Sequence, residues 1–421
     1  MLIKDQARAY YPSPPYADFP RSEFQDRIAR AREGMALAEI DLLVLWDRKN
    51  IRYFTGFESI HWSAMSIQPA VCLLPLGEEP ILIVPQFFRG VAEGLTHLSR
   101  IWCQRDPHLV EAVRDLPREV AGAIKDLGLD RGRIGLESGR EGGMAVPRPI
   151  NDIDLLRSEL DGAQFKDGSS AIWRCRTIKS ASEVEAVSRA SEAVVIALGE
   201  LVANFRLGMT EREVGILIQK SLIEHAHEID ALNIRCSSLR YPMPDTPPFY
   251  DQVVIVPGDR MVIEPLPAFK GYVGSCCRTF QVGELSDEAF RSVECIERAQ
   301  ERAIEAIRPG VKTGEVVKAA HEVFEEMGYE ASLEMVGHGI GLGGHEPPML
   351  TAHGEEVLEE GMVLAVEIWK YDISGFAYSD SRQGQKNLGI FANEDLVVVT
   401  GRGADRLPYF RKDVLSLPHG G

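Results

Sequence analysis

Val336-Gly-His-Gly-Ile-Gly-Leu-Gly-Gly-His-Glu-Pro-Pro348 decides how this chain is read. The stretch holds two histidines and five glycines in thirteen residues. Glycine lets a backbone turn sharply and approach a ligand closely. The stretch therefore reads as a glycine loop from which His338 and His345 project into one pocket. Downstream, Gly361-Met-Val-Leu-Ala-Val-Glu-Ile368 and Gly389-Ile-Phe-Ala-Asn-Glu-Asp-Leu-Val-Val-Val-Thr400 read as buried strands. Each carries an acid among apolar residues, Glu367 and Glu394. Such a carboxylate is costly unless it is paired or given a task. Two of them after a glycine-flanked histidine point to an active site. A core histidine satisfied inside a glycine loop would leave both acids unexplained.

The composition sets wider bounds. The 421 residues suggest two or three domains. Charged residues are 26% and hydrophobic ones 45%, as in an ordinary globular chain. The net charge of −17 argues against nucleic acid and anionic membrane surfaces as partners. There is no apolar run of membrane-spanning length. The first ten residues carry no signal-peptide core. Seven cysteines, an odd number and scattered apart from the adjacent pair Cys276 and Cys277, fit a reducing cytoplasm.

Taken in order, the chain opens with an extended proline-rich arm over 11–20. Apolar spacing predicts a helix from Ser22 to about Ala38, then a strand Asp41–Trp46. Ala70–Pro75 and Pro80–Pro85 flank Leu-Gly-Glu-Glu and read as a hairpin. Tyr53-Phe-Thr-Gly-Phe57 reads as a further strand. A helix over about 109–127, a strand Arg133–Glu137 and a helix over 151–160 complete an α/β unit. The boundary is placed near residue 170, giving domains 1–170 and 171–421. The next helix begins at Ser180 or Ser182, with Glu183 in its first turn.

The second domain contains an internal duplication. Arg206-Leu-Gly-Met-Thr-Glu-Arg-Glu-Val214 resembles Arg308-Pro-Gly-Val-Lys-Thr-Gly-Glu-Val316, at an offset of 308 − 206 = 102. Gly258-Asp-Arg-Met-Val-Ile-Glu264 resembles Gly361-Met-Val-Leu-Ala-Val-Glu367, at 361 − 258 = 103. Each copy reads as helix, glycine turn and buried strand ending in glutamate. Two such copies form related halves with a site between them, so Glu264 and Glu367 are expected to line one cavity.

Gly-His-Gly-Ile-Gly, the later His-Glu-Pro-Pro, a strand glutamate and Asn-Glu-Asp together resemble the pita-bread hydrolases. That superfamily includes methionine aminopeptidase, aminopeptidase P, prolidase, creatinase and ectoine hydrolase. Asn50-Ile-Arg-Tyr-Phe-Thr-Gly-Phe57 and Arg174-Cys-Arg-Thr-Ile-Lys-Ser-Ala-Ser-Glu183 resemble the creatinase/prolidase N-domain and its junction. The resemblance implies an α/β (α+β) chain: an N-terminal creatinase-like domain and a pseudo-symmetric pita-bread domain. In the peptidase members, two Asp, one His and two Glu hold two divalent metals. The His falls on His338 and the Glu pair on Glu367 and Glu394. The Asp positions fall on Glu264 and Ser275. A serine hydroxyl is a poor ligand for a hard dication, and the longer Glu264 shifts its oxygen. No two-metal centre is expected. The expected cofactor is none, or one divalent metal on His338, Glu367 and Glu394.

Other residues are weighed beside these. The resemblance gives His345 a role as acid or donor at the scissile group. His61 and Trp62 match an N-domain loop that reaches a neighbouring active site in a homodimer, where an indole face would suit a cationic substrate. Ser275 and Cys277 are candidate substrate contacts, although a buried structural cysteine is more common than a reactive one. His225 and His227 read as a solvated helix end, and Arg382 and Lys386 as a solvated loop. Creatinase has a glutamate where this chain has Cys277. It also has a general-base histidine that Pro244–Tyr250 lacks.

The expectation is a cytoplasmic homodimeric hydrolase that cleaves a C–N bond in a small amino-acid-like amidino, ureido or amide compound. Glu264, Glu367, Glu394, His338 and His345 would be its catalytic set. The first alternative is an Xaa-Pro dipeptidase or aminopeptidase with a one-metal site. The second is a non-catalytic binding protein on a degenerate peptidase fold.

Overall fold

The computed structural model describes residues 14–62, 68–104, 109–139, 144–237, 252–329, 333–372, 389–412 and 416–418. Pro244–Tyr250, Arg382 and Lys386 lie outside the described residues. The chain divides into two compact units, Met1–Arg176 and Thr177–Gly421.

The first unit is built on a six-stranded sheet. Its strands are β1 (Leu42–Leu45), β2 (Val71–Pro75), β3 (Ile81–Pro85), β4 (Ile101–Gln104), β5 (Arg133–Leu136) and β6 (Gln164–Asp167), in the order β4-β3-β2-β1-β5-β6. The β2–β3 hairpin is antiparallel, whereas β1, β5 and β6 run parallel. Helices α1 (Arg21–Leu37), α2 (Arg48–Thr55), α3 (Leu109–Asp126), α4 (Ile150–Glu159) and α5 (Ser169–Arg176) accompany it. Leu116, Val120 and Ile124 of α3 and Leu156 of α4 pack with Leu42, Val44, Leu73 and Ile83 of the sheet.

In place of the strand expected at Tyr53–Phe57, Tyr53–Thr55 end a helix, and Gly56 and Phe57 follow it. Asp47 accepts from the backbone N–H groups of Lys49 and Asn50, and Gly56 ends the helix at φ 75°. This N-cap and left-handed C-cap override the β preference of the aromatic run. The same helix brings Asn50 into a buried polar network. Its Nδ2 donates to Glu137 Oε1 at 2.6 Å, and Arg176 Nη1 donates to its Oδ1 at 2.7 Å. Glu137 Oε2 accepts from the backbone N–H groups of Trp46 and Asp47. The Asn50, Glu137 and Arg176 signatures, far apart in sequence, are one hydrogen-bonded structure.

The second unit shows the duplication as two runs of a helix pair followed by strands. In the first copy, α6 (Ala181–Asn204) and α7 (Glu211–His225) precede β7 (Glu228–Ser237), β8 (Arg260–Phe269), β9 (Tyr272–Val273) and β10 (Arg278–Val282). In the second copy, α8 (Asp287–Ala306) and α9 (Thr313–Glu326) precede β11 (Met335–Gly339), β12 (Glu346–Thr351), β13 (Val363–Asp372), β14 (Gly389–Thr400) and β15 (Gly403–Arg406). The short β16 (Ser416–Leu417) returns to pair with β10. The sheet orders are β16-β10-β8-β7, with β9 on β8, and β12-β11-β13-β14-β15.

The copies match in backbone detail. Gly208 and Gly310 have φ of 89° and 88°, and Gly258 and Gly361 have 91° and 89°. The isolated bridge Thr210–Val254 recurs as Lys312–Val357. Glycine is needed at these turns because other residues seldom adopt positive φ. Ser180 and Glu183 form a capping box at the start of α6.

The glycine-rich stretch is not a plain loop. It forms two antiparallel strands, β11 and β12, around a turn at residues 340–345. The glycines beside His338 serve close approach. A Cβ at Gly337 would lie 2.0 Å from the Ala365 carbonyl oxygen, and one at Gly339 would lie 2.3 Å from that of Pro347. Only glycine lets the strands on either side close on His338.

Candidate active site

Strand register brings the acids together. Glu367 of β13 and Glu394 of β14 stand directly opposite each other. Like charges in that position repel. His338 of β11 is registered with Ala365, so it sits diagonally from Glu367. Glu264 occupies on β8 the place that Glu367 holds on β13, 103 residues later. Ser275 lies between β9 and β10. Glu264, Ser275, His338, Glu367 and Glu394 are all buried.

His338 is oriented by its own strand. Its Nδ1 lies 2.9 Å from the Gly339 carbonyl oxygen. That oxygen can only accept, so Nδ1 carries the proton. Nε2 is left facing Glu367 Oε1 at 3.4 Å. Burial opposes a charge on His338, but the hydrogen bond and the charge of Glu367 outweigh it and raise its pKa. Burial likewise pushes Glu367 up, and the His338 contact together with the Trp369 indole holds it low. Burial, then the charges of Glu264 and Glu367, push Glu394 well above the usual carboxylate range. The Ser275 hydroxyl beside it pulls slightly the other way. Among the described residues, neither Ser275 Oγ nor Glu394 Oε2 completes a hydrogen bond.

His345 stacks on His338, with ring centres 3.9 Å apart and planes at 26°. It is the more exposed of the two. Burial and the His338 charge lower its pKa, so it is neutral at pH 7. His338, His345 and Glu367 each place a donor atom within 4.8 Å of the others. Stacking nevertheless weakens His345 as a co-ligand. Lone pairs lie in the ring plane, so near-parallel rings cannot both aim at one ion at about 2.1 Å.

The remaining candidates divide. Cys277 packs with Val262, Ile390 and Ala392. Burial and the charges of Glu264, Glu394 and Glu367 drive its thiol well up, so it is no nucleophile. Its neighbour Cys276 belongs to another core cluster, with its thiol at about 12. In the first unit, Trp62 is buried with its ring edge-on to Phe57, 5.7 Å between centres. His61 sits edge-on to Phe87 and Phe88. His225 ends α7, while His227 lies beyond it and packs on Phe269.

Two features were missed from sequence. Trp369 Nε1 donates to Glu367 Oε2 at 2.6 Å. Its signal was the two-residue step along a strand, which puts both side chains on one face. Lys179 and Glu346 form a buried pair 3.6 Å apart beneath the His345 turn, where Glu346 Oε1 also accepts the Gly343 N–H at 2.7 Å. Nothing in their spacing announced that contact.

Comparison with known proteins agrees with this architecture. Residues 185–401 match the metallopeptidase family M24, and 27–178 match the creatinase/prolidase N-terminal domain. An Xaa-Pro dipeptidase of Pyrococcus furiosus is 30% identical over 393 residues, covering 93% of this chain and 100% of that protein. One from Pyrococcus horikoshii is 27% identical, covering 93% and 99%. In solved structures, an Xaa-Pro dipeptidase from Bacillus anthracis superposes with a TM-score of 0.76 at 23% identity, covering 94% of this chain and 100% of that one. With a duplicated helix–sheet unit, a cross-strand acid pair beside a buried histidine, and matches along both units, the chain belongs to metallopeptidase family M24, preceded by a creatinase/prolidase N-terminal domain.

Proposed function

We propose that the chain is a hydrolase of the Xaa-Pro dipeptidase type that works with one divalent metal. The facing pair Glu367–Glu394 carries the metal part of this reading. Two buried carboxylates, with Glu264 close by, repel one another until a cation enters. His338 Nε2 and Glu367 Oε1, 3.4 Å apart, suit two donors to one ion, with Glu394 beside them. A second ion is not supported, because Ser275 offers only a neutral hydroxyl. The substrate class rests on the full-length dipeptidase relatives. They favour the peptidase reading over a small amidino or ureido substrate.

A metal held there supplies Lewis-acid polarisation and a more acidic water. The chain's own groups do the rest. Once a cation lies beside it, the Glu394 carboxyl, otherwise pushed up by burial and its acidic neighbours, would be ionised; it would then accept the proton of the attacking water and return it to the leaving nitrogen as the C–N bond breaks. His345, neutral and at the mouth, donates an N–H to the oxygen that gains charge. His338 holds its proton at Nδ1 on the Gly339 carbonyl, which keeps Nε2 turned inward.

Elemental analysis of the purified protein is expected to give one equivalent of manganese, zinc or cobalt per chain. Proline dipeptides are expected to be cleaved in a panel that also holds creatine and ectoine-derived amides. Two equivalents lost together with activity on chelation would overturn the one-metal part. Turnover confined to the small amides would overturn the dipeptidase part.

The same proposal includes a cytoplasmic homodimer. Ile60 and Phe87 stand 88% and 64% exposed beside His61, large apolar side chains that a partner surface would cover. Light scattering should give a dimer, and Phe87→Glu combined with Ile60→Asp should give a monomer. A monomeric wild type would remove this part.

A further inference from the structure

Trp369 lies two residues beyond Glu367 on β13, so indole and carboxylate share one face of the sheet. The two oxygens of Glu367 have different partners. Oε2 accepts the indole N–H at 2.6 Å, and Oε1 lies 3.4 Å from His338 Nε2. The indole is itself held in place. It stacks on Tyr371, with ring centres 6.1 Å apart and planes at 16°. Both rings pack against the buried cluster of Val262, Cys277, Ile390 and Ala392. An indole N–H only donates, so its partner oxygen is committed as an acceptor.

We propose that Trp369 is a positioning residue that fixes the Glu367 carboxylate, so that Oε1 alone is presented toward His338 and the bound cation. A carboxylate free on both oxygens can chelate one ion or bridge two. One whose second oxygen is tied to an indole offers a single, directed donor. Trp369 thus bears on how Glu367 is aimed at the ion, and Ser275 on how many ions the site holds. Outer-shell partners of this kind orient a ligand and cost about 10- to 100-fold in metal affinity when removed. The proposal rests on the one-metal reading above.

The test is calorimetric titration of Mn²⁺ into the full-length protein after chelator treatment. Trp369→Phe keeps a ring to stack on Tyr371 and removes the donor. Trp369→Leu, also without a donor, serves if the first variant does not fold. Wild type is expected to bind one ion. The donor-free variants are expected to bind it about 10- to 100-fold more weakly. Trp369→His, which keeps a ring N–H, should lose less, and a purely structural role would not produce that order. Donor-free variants that bind Mn²⁺ within twofold of wild type would overturn the role of Trp369 and leave the one-metal reading standing. A wild type that takes up two ions, or none, would overturn the one-metal reading and this inference with it.

Discussion

His338→Ala and Glu367→Gln are each expected to lower kcat by about 10²- to 10⁴-fold while leaving the fold intact. Glu367→Gln keeps the shape of the side chain and removes its charge. Glu367 is buried, which pushes its carboxyl up. The His338 contact and the Trp369 N–H hold it ionised. The amide cannot replace a charged anchor for a metal or a cationic group. His338→Ala removes Nε2 without disturbing the strand, because backbone pairing to β12 and β13 holds that residue in place. The two groups form one unit, so the double variant should lose far less than the product of the single losses. The check is kcat and Tm for each variant on a cleaved dipeptide. Activity within a few-fold of wild type in both, at unchanged Tm, would move the chemistry elsewhere and favour the binding-protein reading.

The fold was legible where local pattern and fold agree. The 102- and 103-residue offsets were visible as letters because turn glycines cannot drift without strain, and Gly208/Gly310 and Gly258/Gly361 keep the same φ. Apolar runs announced β8, β13 and β14. The helix α2 carries its own signals, yet its aromatic run favours a strand. Asp47 and Gly56 are a cap at each end, and the aromatic residues between them dominated the reading.

The site was legible only in part. An acid inside an apolar strand stands out, so Glu264, Glu367 and Glu394 were found. The duplication related Glu264 to Glu367, but the facing of Glu367 and Glu394 was not legible. Whether Glu367 faces Glu394 or a neighbour of it depends on cross-strand register, which the spacing within each strand does not encode. Trp369 went unnoticed because an indole in a strand is ordinary, and its importance comes from the one oxygen it touches. The pair Lys179–Glu346 joins segments 167 residues apart by 346 − 179, and only the fold brings them together. The meaning of Ser275 came from resemblance, since a buried serine alone says little.

The largest loss of stability is expected from Asp395→Ala, at about 3–5 kcal/mol, the usual cost of leaving a buried ion without its partner. Asp395 is fully buried and receives Arg278 Nη2 at 2.6 Å. Arg406 and Lys412 approach its other oxygen at 3.1 and 3.8 Å. Removing the carboxylate therefore strands a buried guanidinium among other cations. The damage should also reach the site. Arg278 Nη1 donates to the carbonyls of Cys277 and Glu394 at 2.8 Å each, and the Glu394 N–H donates back to Cys277 at 3.1 Å. These bonds join β14 to the segment that carries Ser275 and Cys277, so a loosened Arg278 also loosens Glu394. Thermal melts should place the transition of the catalytic unit roughly 6–20 °C lower, taking about 2–4 °C per kcal/mol for a unit of this size. Asp395→Asn, which keeps an acceptor, should cost less. Arg278→Met with Asp395→Leu should cost less than Asp395→Ala alone, because the buried guanidinium is then gone and Arg406 and Lys412 keep Glu301 as a partner. A double variant as unstable as the sum of the single ones would mean that Arg278 and Asp395 act independently, and the stitch between the two halves would have to be sought in other contacts.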